Sequence, residues 1–196
     1  MSKIAIIKYN AGNVQSVLHA LQRLGHNAEW TDDPTRIRRA ERVIFPGVGE
    51  ASSAMRHLRE RGLDDLIRQL QQPVLGICLG LQLFCRHSAE NDTPCLGIFD
   101  AEVRQFDPNL GLKVPHMGWN TLHALRGPLF QGIAAGSHVY FVHSFFAEIH
   151  PDIAARCDYG TPFCAAMQRD NFFAVQFHPE KSGSVGQQIL ANFLKS

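Results

Sequence analysis

Gly76-Ile77-Cys78-Leu79-Gly80 constrains this chain more than any other run. One cysteine stands between two glycines, directly after the apolar Pro73-Val74-Leu75 and before the helix-like Leu81-Gln82-Leu83-Phe84. The spacing is that of a nucleophile elbow with cysteine in place of serine. A strand that turns abruptly into a helix holds its corner residue in a strained backbone, and only glycine-sized neighbours leave room for the turn. The corner side chain then projects over the carboxyl edge of a sheet, and the Leu79 amide points to where an oxyanion would form. Glycines also mark ordinary strand-to-helix turns, so the run gains catalytic meaning only with a base and an orienting acid elsewhere.

Gln176-Phe177-His178-Pro179-Glu180 supplies both, after the apolar Phe172-Phe173-Ala174-Val175. In an extended segment residues i and i+2 share a face, so the spacing predicts a hydrogen bond between His178 and Glu180. Pro179 fixes φ between them and disfavours a helix. The chemistry assigns the roles: Cys78 is the nucleophile, His178 its base and later the acid for the leaving group, and Glu180 the carboxylate that sets the imidazole tautomer. A histidine before a proline is by itself more often structural; joined to the elbow, the balance reverses. Phe45-Pro46-Gly47-Val48-Gly49 follows the strand-like Arg42-Val43-Ile44 and offers a second oxyanion donor opposite Leu79. Alone, that run reads equally as a strand-to-helix turn.

With 196 residues, 45% hydrophobic and 19% charged, the chain is expected to form one globular domain over residues 1–196. A net charge of +1 gives no footprint for nucleic acid or a membrane surface. No stretch approaches a transmembrane span, and Met1-Ser2-Lys3-Ile4 runs into a strand rather than a signal peptide. The cysteines at 78, 85, 95, 157 and 164 are odd in number and lack C-x-x-C pairing, which argues against a disulfide framework or a metal site and for a reduced, cytoplasmic setting. Cys85, Cys95, Cys157 and Cys164 read as packing residues. Cys78, at a helix N-terminus, has the surroundings of a reactive thiolate.

Strands and helices alternate through the first half. Lys3 to Ile7 reads as a strand, and Val14, Val17, Leu18, Leu21 and Leu24 recur at helical spacing up to Gly25. Further strands are expected at Ala28 to Thr31, Val43 to Phe45 and Val74-Leu75, with one helical pattern through Met55, Leu58, Leu66, Ile67 and Leu70. The pattern predicts an α/β fold: a doubly wound, mostly parallel sheet flanked by helices, flavodoxin-like, with ligands at the carboxyl ends of the strands. From about Glu102 to Phe146 the short runs broken by glycine and proline predict added β-hairpins, with a strand at Val139 to Val142. Phe163 to Gln168 and Phe172 to Phe177 read as paired strands around Arg169-Asp170-Asn171. A helix from about Ser184 closes the chain with Ile189, Leu190, Phe193 and Leu194 on one face.

The elbow, the Phe-His-Pro-Glu run and the Pro-Gly-Val-Gly turn together resemble the class I (triad-type) glutamine amidotransferases. Two further strings, Val114-Pro115-His116-Met117-Gly118-Trp119-Asn120 and Tyr140-Phe141-Val142-His143-Ser144, resemble the glutaminase subunits of imidazole glycerol phosphate synthases. The likeness runs from Asn13 through Lys181-Ser182, and the P-H-M-G-W-N string is its most diagnostic part.

The resemblance implies a reaction and a set of positions. Cys78, His178 and Glu180 match the triad, and Val48, Gly49 and Leu79 the oxyanion region. Gln82 and Glu90, with the backbone around His143 and Ser144, fall where the family holds glutamine. Met117, Trp119, Asn120 and Lys181 fall where it meets its partner, a (β/α)8-barrel cyclase, in a 1:1 complex. Ammonia released from glutamine would pass to that partner, which makes imidazole glycerol phosphate and an aminoimidazole carboxamide ribotide in histidine biosynthesis; no cofactor is implied. A resting Gly47-Val48-Gly49 peptide turned away from the site would act as a brake until the partner engages. Two departures stand out: the family usually has aspartate and glycine where this chain has Lys8 and Asn10, and often tyrosine where it has Phe145. The competing readings are a glutaminase serving another synthase, a γ-glutamyl hydrolase or cysteine peptidase on a related elbow, and a non-catalytic interaction module.

Overall fold

In the computed structural model the described residues are 3–9 and 14–196; the departure at Asn10 and the readings placed on residues 1–2 and 11–13 lie outside them. Short apolar runs become strands and amphipathic stretches become helices in the order β1 (Ile4–Ile7), α1 (Val14–Arg23), β2 (Ala28–Thr31), α2 (Pro34–Arg39), β3 (Arg42–Gly47), α3 (Ala51–Glu60), α4 (Leu63–Arg68), β4 (Val74–Cys78) and α5 (Leu79–Phe84). The second half adds β5 (His87–Ser88), β6 (Thr93–Pro94), β7 (Glu102–Gln105), β8 (His116–Thr121), β9 (His138–His143), β10 (Phe145–Ala147), β11 (Ile153–Tyr159), β12 (Thr161–Arg169), β13 (Phe172–Val175) and α6 (Gly183–Phe193).

The main sheet has the order β11-β12-β13-β4-β3-β1-β2. From β13 to β2 neighbouring strands are parallel, and β11 and β12 join antiparallel at one edge. Successive residues of β1 face opposite layers, as the two-residue period requires. Ala5 and Ile7 pack with Ile37, Met55, Leu58 and Leu66 of α2, α3 and α4, while Ile4 and Ile6 pack with Val17, Leu21, Ile189 and Phe193 of α1 and α6. The doubly wound, mostly parallel sheet is therefore present. The expected hairpin region supplies β7 to β10, which with β5 and β6 from before it form two small sheets, β10-β7-β5-β6 and β8-β9, and bring Val142 and Phe145 to the cleft over Cys78.

Four local features differ from the sequence-based expectation. Helix α2 is too short for its period to show, burying only Ile37; it is marked by Asp33, whose carboxylate accepts from the Thr35 and Arg36 amides ahead of Pro34 in the first turn. The single helical pattern through residues 55–70 is broken into α3 and α4 because Gly62 adopts φ 62°, ψ 20°. Strand β3 runs through Pro46 to Gly47, since pairing with β1 ends at Ile44 and Pro46 removes no ladder bond on that side. Strand β11 forms an antiparallel edge that carries no strong alternation of its own.

The elbow is closed by contact at both glycines. A Cβ on Gly76 would stand 2.7 Å from Phe84 Cε2. One on Gly80 would collide with the Phe45 carbonyl oxygen, a backbone atom that cannot move aside. Gly80→Ala should accordingly lower stability by ~1–3 kcal/mol, the range for overpacking, read as a lower urea midpoint. An unchanged midpoint would mean that helix α5 does not press on β3 as described.

Candidate active site

Three elements converge at the carboxyl edge of the parallel sheet. Strand β4 ends at Cys78, which holds φ 55° and ψ −106° as it enters α5. Such a backbone is costly for a residue with a Cβ and persists only where the surroundings enforce it. The loop after β13 brings His178, and the turn after β3 brings Val48 and Gly49. Gly49 takes φ 110°, a value that favours glycine.

His178 and Glu180 do meet, with Nδ1 and Oε1 2.7 Å apart and both side chains almost fully buried. The route differs from the predicted extended segment: Pro179–Lys181 is a turn of 3-10 helix. Proline is tolerated there because the first helical position has no use for an N–H. The loop is pinned to β9, since the His178 amide donates to the Tyr140 carbonyl at 2.9 Å and Ser182 Oγ accepts from the Tyr140 amide at 2.9 Å.

The pairing leaves Nε2 to face the Cys78 sulfur. Nε2 is buried and makes no hydrogen bond of regular geometry among the described residues. Burial pulls the His178 pKa down, but the Cys78 sulfur and the Glu180 carboxylate outweigh it and raise it to about 10. The result is an imidazolium held beside the Cys78 sulfur. Tyr9, buried nearby with no partner for its hydroxyl among the described residues, has its pKa raised by burial and then by the Cys78 charge.

A cleft of about 320 Å³ opens over Cys78, lined by Val48, Gly49, Leu79, Gln82, Glu90, Pro115, Val142, His143, Ser144 and Phe145. It thus brings together the expected oxyanion and glutamine-binding positions. Glu90 accepts the Ala51 amide at 2.7 Å, and burial raises its pKa. His143 shows the cleft its backbone, because its ring is committed inward: Nδ1 donates to the Phe145 carbonyl at 2.7 Å, leaving Nε2 to accept from His116 Nδ1 at 3.0 Å. Burial lowers the pKa of His143 to about 3 and that of His116 to about 4.

The expected partner-facing residues lie on the rim. Met117 and Trp119 share the outer face of β8 and are 63% and 56% exposed. Met117 is the cross-strand neighbour of Val142, which lines the cleft. The Asn120 amide is spent internally, on His116 Nε2 and the Asp158 carbonyl, and Lys181 is exposed in the turn after His178. Lys8 lies over the Trp30 ring, 5.2 Å from its centroid. Residue Phe145 contributes through its carbonyl. Sequence reasoning missed Gln176, His116 and the carbonyls of Val142 and Phe145; the two side chains stand inside the diagnostic strings but carried no role. The remaining cysteines are buried: Cys85 has its thiol pKa raised, and Cys95, Cys157 and Cys164 are pushed up to about 12. Among the described residues no cluster of three or more His, Cys, Asp or Glu is arranged to hold a metal, and no helix is long and apolar enough to cross a membrane.

A cysteine at a strained strand-to-helix corner and a carboxylate-paired histidine thus meet at one cleft. The chain belongs to the glutamine amidotransferase class-I family, whose model matches residues 5–196. It is 54% identical over 194 residues to the imidazole glycerol phosphate synthase subunit HisH of Bacteroides fragilis, covering 98% of this chain and 99% of that protein. The protein of the same name from Escherichia coli K12 is 46% identical over 194 residues, with 98% of each covered. Among solved structures, a glutamine amidotransferase superposes with a TM-score of 0.76 at 20% identity, over 98% of this chain and 97% of that one. PurLQS from Thermotoga maritima gives 0.73 at 18%, over 100% and 99%. At such identities these two likenesses carry the fold alone.

The neutral histidine pair sets a pH dependence. Unfolded imidazoles titrate near 6.5, whereas folded His116 and His143 resist protonation to about 4 and 3. Below pH 6.5 the unfolded state therefore takes up protons first, and stability falls as pH falls. The urea midpoint should drop between pH 6.5 and 5, and His143→Gln should flatten that limb; a slope unchanged by the substitution would contradict a buried neutral pair.

Proposed function

We propose that this chain, as one domain over residues 1–196, is the glutaminase subunit of an imidazole glycerol phosphate synthase. It hydrolyses glutamine to glutamate and ammonia through Cys78, His178 and Glu180 and delivers the ammonia to a (β/α)8-barrel cyclase in a 1:1 complex. The observation that carries the reading is the buried His178–Glu180 pair turned toward a cysteine held at φ 55°, in a chain 54% identical to a named synthase subunit.

The chemistry follows from the geometry. The Cys78 thiolate adds to the side-chain carboxamide of glutamine, and negative charge develops on the former carbonyl oxygen. The Leu79 amide at the start of α5 and the Val48–Gly49 backbone, which line the cleft, are the donors assigned to it. Collapse of the adduct breaks the C–N bond as His178 gives its proton to the departing nitrogen, leaving a γ-glutamyl thioester. His178 then takes a proton from water, whose oxygen attacks the thioester and releases glutamate and the thiolate. Glu180 keeps Nδ1 protonated throughout.

Free ammonia in neutral water becomes ammonium and stops being a nucleophile, so the partner must cover the cleft. Exposed Met117 and Trp119 on the rim suit that contact, aromatic and Met side chains being enriched at interfaces. A cytoplasmic setting suits five unpaired, buried thiols.

With the cyclase present, Cys78→Ala or His178→Ala should cut glutamine-dependent product formation by several orders of magnitude while sparing turnover on ammonium salt. Glu180→Gln should cost less than loss of His178. Retained glutamine-dependent turnover in Cys78→Ala would remove the nucleophile assignment and with it this function.

The Gly47-Val48-Gly49 turn is read as the brake on idle hydrolysis, its peptide changing orientation when the partner binds nucleotide. One absent oxyanion donor is worth roughly 10²–10³ in rate. The purified chain alone should therefore show glutaminase activity lower by about that factor than the complex with nucleotide; equal activity would refute the brake.

A further inference from the structure

Gln176 is completely buried, and its amide has two partners. Nε2 lies 3.7 Å from the Cys78 sulfur, and Oε1 accepts from Gln82 Nε2 at 3.2 Å. The direction of these bonds is fixed by an atom that can only accept. Gln82 Nε2 also donates to the Phe145 carbonyl at 2.8 Å, so Gln82 must present its NH₂ group to this corner. Gln176 must then answer with its oxygen, which turns its own NH₂ onto the sulfur.

The other neighbour of the sulfur has the opposite preference. The Val142 carbonyl, 3.8 Å away, accepts the proton of a thiol and offers nothing to a thiolate. An amide donor gains most from an ionised acceptor, since charge-assisted hydrogen bonds are the stronger ones. The sulfur is therefore bracketed by a carbonyl that favours S–H and an amide that favours S⁻.

We propose that Gln176 is a positioning residue for the nucleophile: its amide, oriented by Gln82, donates to the Cys78 sulfur and favours the thiolate. The proposal rests on Cys78 being the nucleophile and adds a group that acts through it. Other titratable groups around the sulfur are His178 beyond β13, with Glu180 behind it, Tyr9 after β1, and His143 and Glu90 across the cleft. All remain in place in the variants used below.

The test is the pH profile of Cys78 alkylation by iodoacetamide in the full chain, with adducts located by peptide mass spectrometry. Cys78→Ala serves as the blank for the four other cysteines. Gln176→Met keeps the length and removes the donor; Gln176→Glu replaces the donor with an acceptor. The alkylation midpoint should rise by about one pH unit in Gln176→Met, a tenfold loss of thiolate, and at least as far in Gln176→Glu. Gln82→Met, which leaves Gln176 but releases its oxygen, should shift the midpoint in the same direction by less. Circular dichroism melts identify folded variants, and if one fails to fold the others decide.

Profiles of the folded variants that superimpose on that of the unaltered chain would overturn the proposal. A merely structural role for Gln176 would lower the melting temperature without moving the midpoint, and that outcome also overturns it. Failure here leaves the function standing if Cys78→Ala still abolishes glutamine-dependent turnover, so the two claims fall separately.

Discussion

The backbone of residue 78 holds a cysteine over the carboxyl edge of the sheet. At φ 55° and ψ −106°, Cys78 lies where few residues with a Cβ settle. The cost, of order 1–3 kcal/mol for such strain, is offset by the buried run on either side: every residue of β4 and α5 is buried. Gly76 and Gly80 let α5 approach β3 and β4 closely enough to hold the corner. The sulfur is then fixed over the carboxyl ends of parallel strands, where the turns after β3 and β13 also arrive.

A second constraint is the Phe145 carbonyl. It accepts from both Gln82 Nε2 and His143 Nδ1, and because a carbonyl cannot donate, it fixes the direction of two buried chains. One runs through Gln82 and Gln176 to the Cys78 sulfur. The other runs through His143 and His116 to Asn120 on the rim. A chemically inert residue thereby sets the polarity of the amides and the tautomers of the rings around the cleft.

Much of this was legible in the sequence because the signals are local. Short apolar runs alternating with period-3.6 patterns pointed to the parallel sheet, and glycine on both sides of Cys78 pointed to the corner. The His178–Glu180 pair was legible as a contact, although its conformation was not: the two-residue spacing suited a strand, and Pro179 at the start of a 3-10 turn achieved the same meeting. Helix α2 escaped because one buried residue makes no period. Gln176 escaped because its partners Gln82 and Cys78 are 94 and 98 residues away, so only the folded topology brings the amides together. The glutamine-binding role proposed for Gln82 and Glu90 came from the family likeness, and both line the one cleft.

The central claim is that the sulfur of residue 78 becomes covalently bound to substrate while His178 shuttles the proton. Acid-quenching the synthase complex during turnover of isotopically labelled glutamine, followed by peptide mass spectrometry, tests it directly. The account predicts a labelled γ-glutamyl thioester on Cys78, accumulating further in Glu180→Gln, where proton transfer from water to His178 is slowed. Turnover with no acyl adduct on the chain, or an adduct on any other residue, would contradict it.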